Sequence, residues 1–186
     1  MDALDLMLSR ESALKLEPPG PSAADLQRIF DSAVRAPDHG RLRPWHFVVI
    51  GADQRDGFGQ LMADSLRRRN PSASDAELQR ERDKAFRAPT IVVVAAQVRK
   101  GHKIPEIEQI ASAAAAAQTI MLAAPALGYG SFWRTGAVAY DPAVKTALGL
   151  DADDDIIGFI YIGTNAGGPS PIPRPDAREY VTTWAG

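Results

Sequence analysis

The stretch RAPDHGRLRPWHFVVI, residues 35–50, places a group of charged side chains directly before a buried strand. Pro37 ends the preceding helix, because proline lacks the amide hydrogen that a helix interior needs. WHFVVI, residues 45–50, is rich in β-branched and aromatic residues and predicts a short strand. Four basic side chains stand before it: Arg35, His39, Arg41 and Arg43. This grouping indicates an anionic ligand, or a flat polar one, near the start of the strand.

Further helices and strands are expected on both sides of this stretch. Ser22 and Asp25 predict a helix start, followed by an apolar stripe up to Val34. TIVVVAA, residues 90–96, has no polar alternation, so we expect a strand covered on both faces. IIGFIYIG, residues 156–163, predicts the last core strand. The order of the elements predicts an α+β sandwich with few strands and many helices.

The longest predicted helix, at about residues 107–127, is alanine-rich and apolar almost all round. Such a helix belongs at the centre of a fold. One chain of 186 residues does not readily cover so much apolar surface, which predicts a homodimer. A proline-rich tail follows the last strand and ends in YVTTW, residues 180–184. We expect this extended C-terminal tail to lie across the second subunit.

Composition excludes several classes of protein. The length of 186 residues predicts one domain, residues 1–186. The net charge of −2 argues against nucleic-acid binding. The sequence has no cysteine, which excludes disulfides, thiolate zinc sites and cysteine nucleophiles. No basic leader is followed by an apolar core, and no uninterrupted apolar run reaches the roughly 18 residues of a membrane span. We therefore expect a cytoplasmic protein without a membrane partner.

The common catalytic and nucleotide-binding motifs do not occur. Neither G-x-G-x-x-G after a strand nor the P-loop pattern is present. His39, His46 and His102 lie far apart in sequence without a second ligand at metal spacing, so no metal site is expected. Nothing resembles the elbow of a serine hydrolase.

Basic and polar residues occur in three other places that suit a ligand. Arg10 and Ser12 stand at the end of the first helix, where a guanidinium and a hydroxyl suit a phosphate monoester. Arg35 and His39 surround the turn at Pro37. Trp133, Arg134 and Thr135 follow a glycine turn. Simpler readings stay open: a surface arginine at position 10, a helix C-cap by Arg35, and a core role for Trp133.

In combination, these segments resemble the nitroreductase family of flavin-dependent oxidoreductases, in particular its short YdjA-type branch. The matching segments occur in family order over nearly the whole chain: residues 1–12, 35–50, 86–96, 102–105, 128–137 and 156–164. The resemblance implies a nitroreductase-like α+β fold with a central mixed sheet flanked by helices. It also implies that FMN binds between two subunits.

The resemblance also implies roles for individual residues. Arg10, Glu11 and Ser12 would hold the FMN phosphate and ribityl end, with Glu11 acting through its backbone because relatives carry a basic residue there. Arg35 and His39 would reach the same flavin from the partner subunit. Trp133, Arg134 and Thr135 would line the isoalloxazine. In relatives, one further segment is assigned to the pyridine nucleotide. The matching residues here are Ala123, Ala124, Pro125, Ala126, Leu127 and Gly128.

The activity implied is that of an FMN-dependent NAD(P)H oxidoreductase. NADPH or NADH would reduce the flavin, and a nitroaromatic, quinone or similar electrophile would reoxidise it by two-electron ping-pong chemistry. The chemistry is borne by the flavin, so no catalytic side chain is required, and Arg134 is the candidate for stabilising negative charge. Lys15 and Arg174 are further candidates for the phosphate. The alternatives are a flavin-binding sensor or carrier without turnover, and an interaction protein whose arginines are surface charge.

Overall fold

The computed structural model describes residues 2–168 and 173–186. The helices are α1 (Ala3–Ser9), α2 (Ala23–Ala33), α3 (Arg55–Arg69), α4 (Asp75–Asp83), α5 (Glu106–Ala126) and α6 (Pro142–Ala147). The strands are β1 (Leu16–Glu17), β2 (Trp45–Ile50), β3 (Thr90–Ala96), β4 (Gly130–Arg134) and β5 (Asp155–Asn165). Residues 169–172 of the predicted tail lie outside the described residues.

The sheet is built around β5. One edge of β5 pairs with β3, and β2 continues the sheet beyond β3. The other edge pairs with β4 over Phe159–Gly163 and with β1 over Thr164–Asn165. The prediction of an α+β fold with helices around a central sheet is therefore confirmed.

The prediction that the sheet is mixed is wrong for the described residues, in which every strand pair is antiparallel. The helical crossover through α5 does bring β3 and β4 into the same direction, as such connections do. However, β5 lies between these two strands and pairs antiparallel with both. No parallel ladder forms there, since the two parallel strands never meet.

Helices cover both faces of the sheet. On one face α2 and α5 pack over Val92, Val94, Ile160 and Ile162. On the other, α3, α6 and the segment after α4 pack over Ile91, Val93, Phe159 and Tyr161. All seven residues of β3 are buried, so the prediction of a strand covered on both faces is confirmed. Each such Val or Ile contributes about 1.5–3 kcal/mol by leaving water.

The long helix α5 has 21 residues and is thus about 30 Å long at 1.5 Å per residue. By length and composition it is the one helix among the described residues that could cross a bilayer. Here it is a core helix, because Ala113, Ala116, Ala117 and Ile120 are fully buried against the sheet and α2. On the opposite side of the helix, near its start, Ile107 is 69% exposed. The cytoplasmic location and the single domain stay predictions.

The C-terminal tail has few contacts within one chain. Residues 173–186 are exposed and form one short helical turn, Ala177–Tyr180. Trp184 is 90% exposed, and Val181 is exposed as well. An apolar segment left in water in this way is consistent with the predicted partner surface. Its packing on a second subunit stays a prediction.

Strand β4 directs its side chains to alternate faces of the sheet. Trp133 lies on the face covered by α5, where its Nε1 donates to the carbonyl of Ile157 at 3.3 Å. Phe132 points to the opposite face and packs with the core under α3. The indole fits because residue 158 is glycine, since a Cβ there would lie 2.1 Å from Trp133 Nε1. Gly158 therefore fixes the position of Trp133.

We predict that Gly158→Ala lowers the free energy of unfolding by about 1–3 kcal/mol, because the added methyl group forces the indole to move. Gly57→Ala is the matched control, since its Cβ has no neighbour within 4 Å. Removing a glycine from the interior of α3 stabilises by about 0.5–1 kcal/mol. Urea unfolding measures both changes. An unchanged stability of Gly158→Ala, with an unchanged near-UV circular dichroism spectrum, would contradict this account.

Candidate functional site

A cavity of about 640 Å³, here called the main cavity, opens between the end of β4 and helices α3 and α4. Its apolar walls come from Met62, Phe132, Val138, Phe159 and Tyr161. Its cationic side chains are Arg69, Lys84, Arg87 and Arg134, and its one carboxylate among the described residues is Glu81. Cavities of this size with apolar walls and a few charged groups are typical of small-molecule sites.

Arg134 stacks on an aromatic ring in the wall of the main cavity. Its guanidinium lies 4.1 Å from the centre of the Phe132 ring, a cation–π contact. Burial lowers the pKa of Arg134, and repulsion from Arg87 lowers it further. Within the described residues Arg134 has no ion-pair partner. Negative charge on a bound ligand would offset both the cost of burying this guanidinium and its repulsion from Arg87.

Tyr161 contributes a hydroxyl to the same cavity. Burial raises the pKa of Tyr161 to about 12, although the charges of Arg87 and Arg134 act in the opposite direction. The phenol is therefore protonated at neutral pH and is available as a hydrogen-bond donor to a ligand.

A second cavity of about 430 Å³, here called the side cavity, continues from the main cavity. The two share Arg87, Phe132, Arg134 and Tyr161. The side cavity is also lined by residues 13–17, which directly follow the predicted Arg10–Ser12 site. One of these is Lys15, whose Nζ lies 2.6 Å from Glu17 Oε1. The two cavities give an elongated ligand a continuous path.

Arg10 and Glu11 line a third cavity of about 410 Å³, here called the Arg10 cavity. Pro125 and Gly128, at the end of α5, line it too. The structure thus brings the predicted phosphate residues close to the predicted nucleotide segment. Within that segment, Ala124 is fully buried, so its side chain is inaccessible to a ligand.

Backbone contacts hold this end of the chain against the sheet. Ser12 is half-buried and lines neither the Arg10 cavity nor the side cavity. The next residue, Ala13, donates its amide hydrogen to the carbonyl of Ser131 at 2.9 Å. The predicted phosphate residues therefore stand beside the start of β4, and Arg134 stands at its other end.

Arg35 and His39 lie at the opposite end of α5. His39 Nδ1 lies 2.5 Å from Oε2 of Glu108, in the first turn of the helix. Ser112 Oγ donates to the carbonyl of Pro37 at 2.7 Å. Arg35 is exposed, and no described residue forms a side-chain hydrogen bond or ion pair with it. From residue 108 to residue 125 the helix rises about 25 Å, so the two predicted groups are far apart within one chain.

The three predicted isoalloxazine residues are only partly together. Arg134 and Thr135 line the main cavity, and Thr135 is exposed. Trp133 borders this cavity, but its indole lies on the α5 face of the sheet, away from Phe132. Arg174, in the tail, is exposed.

The sequence did not predict five charged or hydroxyl-bearing residues of the main cavity: Arg69, Glu81, Lys84, Arg87 and Tyr161. One signal could have found Arg87, which precedes the buried strand β3 just as Arg43 precedes β2. The others give no local signal, because Arg69 meets Glu81 and Lys84 only through the packing of α3 against α4 and the segment after it, and Tyr161 lies on the distant strand β5. Among the described residues, no group of three or more His, Cys, Asp or Glu has the geometry of a metal site.

Comparison with known proteins identifies the family of this chain. Residues 7–164 match the model of the Nitroreductase family. The chain is 38% identical over 183 residues to the Escherichia coli (strain K12) protein named "Putative NAD(P)H nitroreductase YdjA", covering 98% of this chain and 99% of that one.

Two solved structures share the fold. A nitroreductase-like family protein from Bacillus cereus has a TM-score of 0.85 at 20% identity and covers 100% of this chain and 97% of its own. The FMN and NADPH-dependent nitroreductase NfnB from Sphigopyxis sp. strain HMH has a TM-score of 0.79 at 21% identity, with both chains fully covered. The match of the family model over most of the chain, and the identity to YdjA along its full length, show that this chain is an oxidoreductase of the nitroreductase family.

Proposed function

We propose that this protein is an FMN-dependent NAD(P)H oxidoreductase that reduces nitroaromatic, quinone or similar electrophilic acceptors in a two-electron ping-pong cycle. The observation that carries the proposal is the main cavity, which joins the uncompensated guanidinium of Arg134 to apolar walls. The names of two relatives agree with it, since YdjA is described with NAD(P)H and NfnB with FMN and NADPH.

The residues present fit FMN, a molecule with a phosphate at one end and a flat ring at the other. The Arg10 cavity and the side cavity both border Ala13, and the side cavity shares four lining residues with the main cavity. Arg10, the backbone of Glu11 and Ser12 would hold the phosphate and ribityl end. Arg134 and Thr135 would face the ring, with Phe132 and Tyr161 as apolar walls. Trp133 would act at the margin of this site, because its indole lies across the sheet.

FMN, when bound, supplies the redox chemistry by taking a hydride from a nicotinamide and passing two electrons to an acceptor. The residues of this chain provide the electrostatics. Arg134 would stabilise negative charge at flavin N1 and the C2 carbonyl, aided by Lys84 and Arg87. The protonated hydroxyl of Tyr161 would donate a hydrogen bond without adding charge. Ala123–Gly128 is the proposed contact for the nicotinamide nucleotide, chiefly through Pro125 and Gly128.

We propose that two subunits share each FMN site. In one chain, Arg10 and His39 stand at opposite ends of α5, roughly 25 Å apart along the helix axis. A two-fold axis with the α5 helices side by side and antiparallel would bring His39 of one subunit towards Arg10 of the other. The exposed Ile107 on α5 and Trp184 in the tail supply apolar surface for such an interface. Both need a partner to leave water.

The cofactor assignment predicts that Arg10→Ala weakens FMN binding by about 1.5–3 kcal/mol, the range for a hydrogen bond to a charged group. Arg28→Ala is the matched control, because Arg28 is an exposed arginine whose nearest acid, Asp25, lies 3.6 Å away. Quenching of flavin fluorescence during titration gives both dissociation constants. Equal constants for wild type and Arg10→Ala would refute the phosphate assignment.

The activity predicts NADPH or NADH oxidation that depends on both FMN and an added quinone. Initial rates at several quinone concentrations should give parallel double-reciprocal lines, the pattern of ping-pong kinetics. The expected stoichiometry is about one FMN per chain. A bound flavin that stays oxidised under excess NADPH and NADH would favour a sensor or carrier and contradict the proposed activity.

The shared site predicts a dimer whose stability rises with FMN, since a ligand that binds only the assembled form stabilises it by mass action. Light scattering at micromolar concentration, with and without FMN, measures this. Trp184→Ala should raise the dimer dissociation constant, whereas Tyr140→Ala, which removes another exposed aromatic side chain, should not. A monomer that binds FMN and turns over normally would contradict the proposal.

A further inference from the structure

Helix α3 ends in three consecutive arginines whose side chains lie in different surroundings. Arg68 reaches α6, where its Nη2 lies 2.8 Å from Oδ2 of the buried Asp141. Arg67 is exposed and lines none of the three cavities described above. Arg69 is exposed as well, but its side chain lines the main cavity. Cations in the last turn of a helix favour its dipole, and all three arginines share that role equally. The position of Arg69 therefore calls for another account.

The charge of the main cavity is unbalanced. Of its four cations, Lys84 is paired with Glu81, its Nζ lying 2.5 Å from Oε1. Arg69, Arg87 and Arg134 have no carboxylate partner among the described residues. Three uncompensated guanidinium groups around one cavity attract an anionic ligand.

Arg69 lies in a different part of the cavity from the other two. Arg87 and Arg134 also line the side cavity, along which the ribityl end of FMN is proposed to run. Arg69 does not line the side cavity. It borders instead a solvent-open hollow of about 340 Å³ that is also lined by Tyr140 and by Asp141, the carboxylate partner of Arg68. Its guanidinium is thus left for the second ligand of the site.

We infer that Arg69 determines specificity by binding an anionic group on the ligand that shares the main cavity with FMN. The inference rests on the proposed function, in which the electron donor and the acceptor must each reach the flavin ring that Arg134 and Thr135 would face. Two sources offer the same chemistry: a carboxylate on an aromatic acceptor and the 2′-phosphate of NADPH. A guanidinium binds either group through paired, charge-assisted hydrogen bonds.

The test compares wild type, Arg69→Gln and the matched control Arg67→Gln, all loaded with FMN. Calorimetry gives the dissociation constants of benzoate and benzamide, two probes of similar shape that differ in charge. Steady-state kinetics give KM for NADPH and NADH with a neutral quinone. Arg69→Gln should raise either the dissociation constant of benzoate or the KM for NADPH about fivefold, which is the effect of one exposed charged contact. The value for the matching ligand without that charge, benzamide or NADH, should stay unchanged. Arg67→Gln should change neither.

Each outcome has a definite meaning. A selective loss for benzoate identifies an acceptor carboxylate, and a selective rise in KM for NADPH identifies the nucleotide phosphate. Equal effects on charged and neutral ligands, or equal effects of both substitutions, would overturn the inference and leave only a helix-stabilising role. Turnover of the neutral quinone tests the proposed function separately. Its absence, with benzoate still preferred through Arg69, would refute the redox assignment and leave the anion site intact.

Discussion

The length of α5 sets the distances on which the proposed chemistry depends. This helix lies along the buried sheet, and its small side chains bring it close to β3, β5 and α2. One end holds Pro125 and Gly128 beside Arg10, and the other holds Glu108 beside His39. Because a helix of 21 residues is rigid and about 30 Å long, one subunit cannot bring these groups together. Under the proposed function, a second copy of the chain would supply the missing end of each site.

The strand β4 provides the second constraint. It starts next to the Arg10 cavity and ends with Arg134 at the main cavity. Its side chains alternate between the two faces of the sheet, so Phe132 and Arg134 lie on one face and Trp133 on the other. Arg134 therefore lies in a partly apolar place with Arg87 as a neighbouring cation. Burying unpaired positive charge costs stability, and a ligand that brings negative charge recovers it. Under the proposed function, a flavin that gains negative charge on reduction would supply such a ligand.

Local signals in the sequence predicted the secondary structure well. The buried strand 90–96 and the Ser22 cap of α2 were both correct, because composition and capping act within a few residues. The mixed sheet was wrong because strand order depends on where β5 inserts, which no local pattern states. The separation of Trp133 from Arg134 follows from the two-residue period of β4, which places their side chains on opposite faces of the sheet. Lys84 and Tyr161 are far apart in sequence and both reach the main cavity only through tertiary packing, so no local pattern could predict that they meet.

Complementation between two defective variants tests the shared site most directly. Arg10→Ala would damage one half of the site, and the double variant Arg35→Ala/His39→Ala the other. Each alone should bind FMN weakly and have little NADPH-quinone activity. If two subunits share each site, unfolding the variants together and refolding them at equal concentration should restore about one quarter of the wild-type sites, because half of the dimers are mixed and each has one intact site. Activity that stays at the level of the separate variants, in a mixture shown by mass spectrometry to contain mixed dimers, would contradict the shared site.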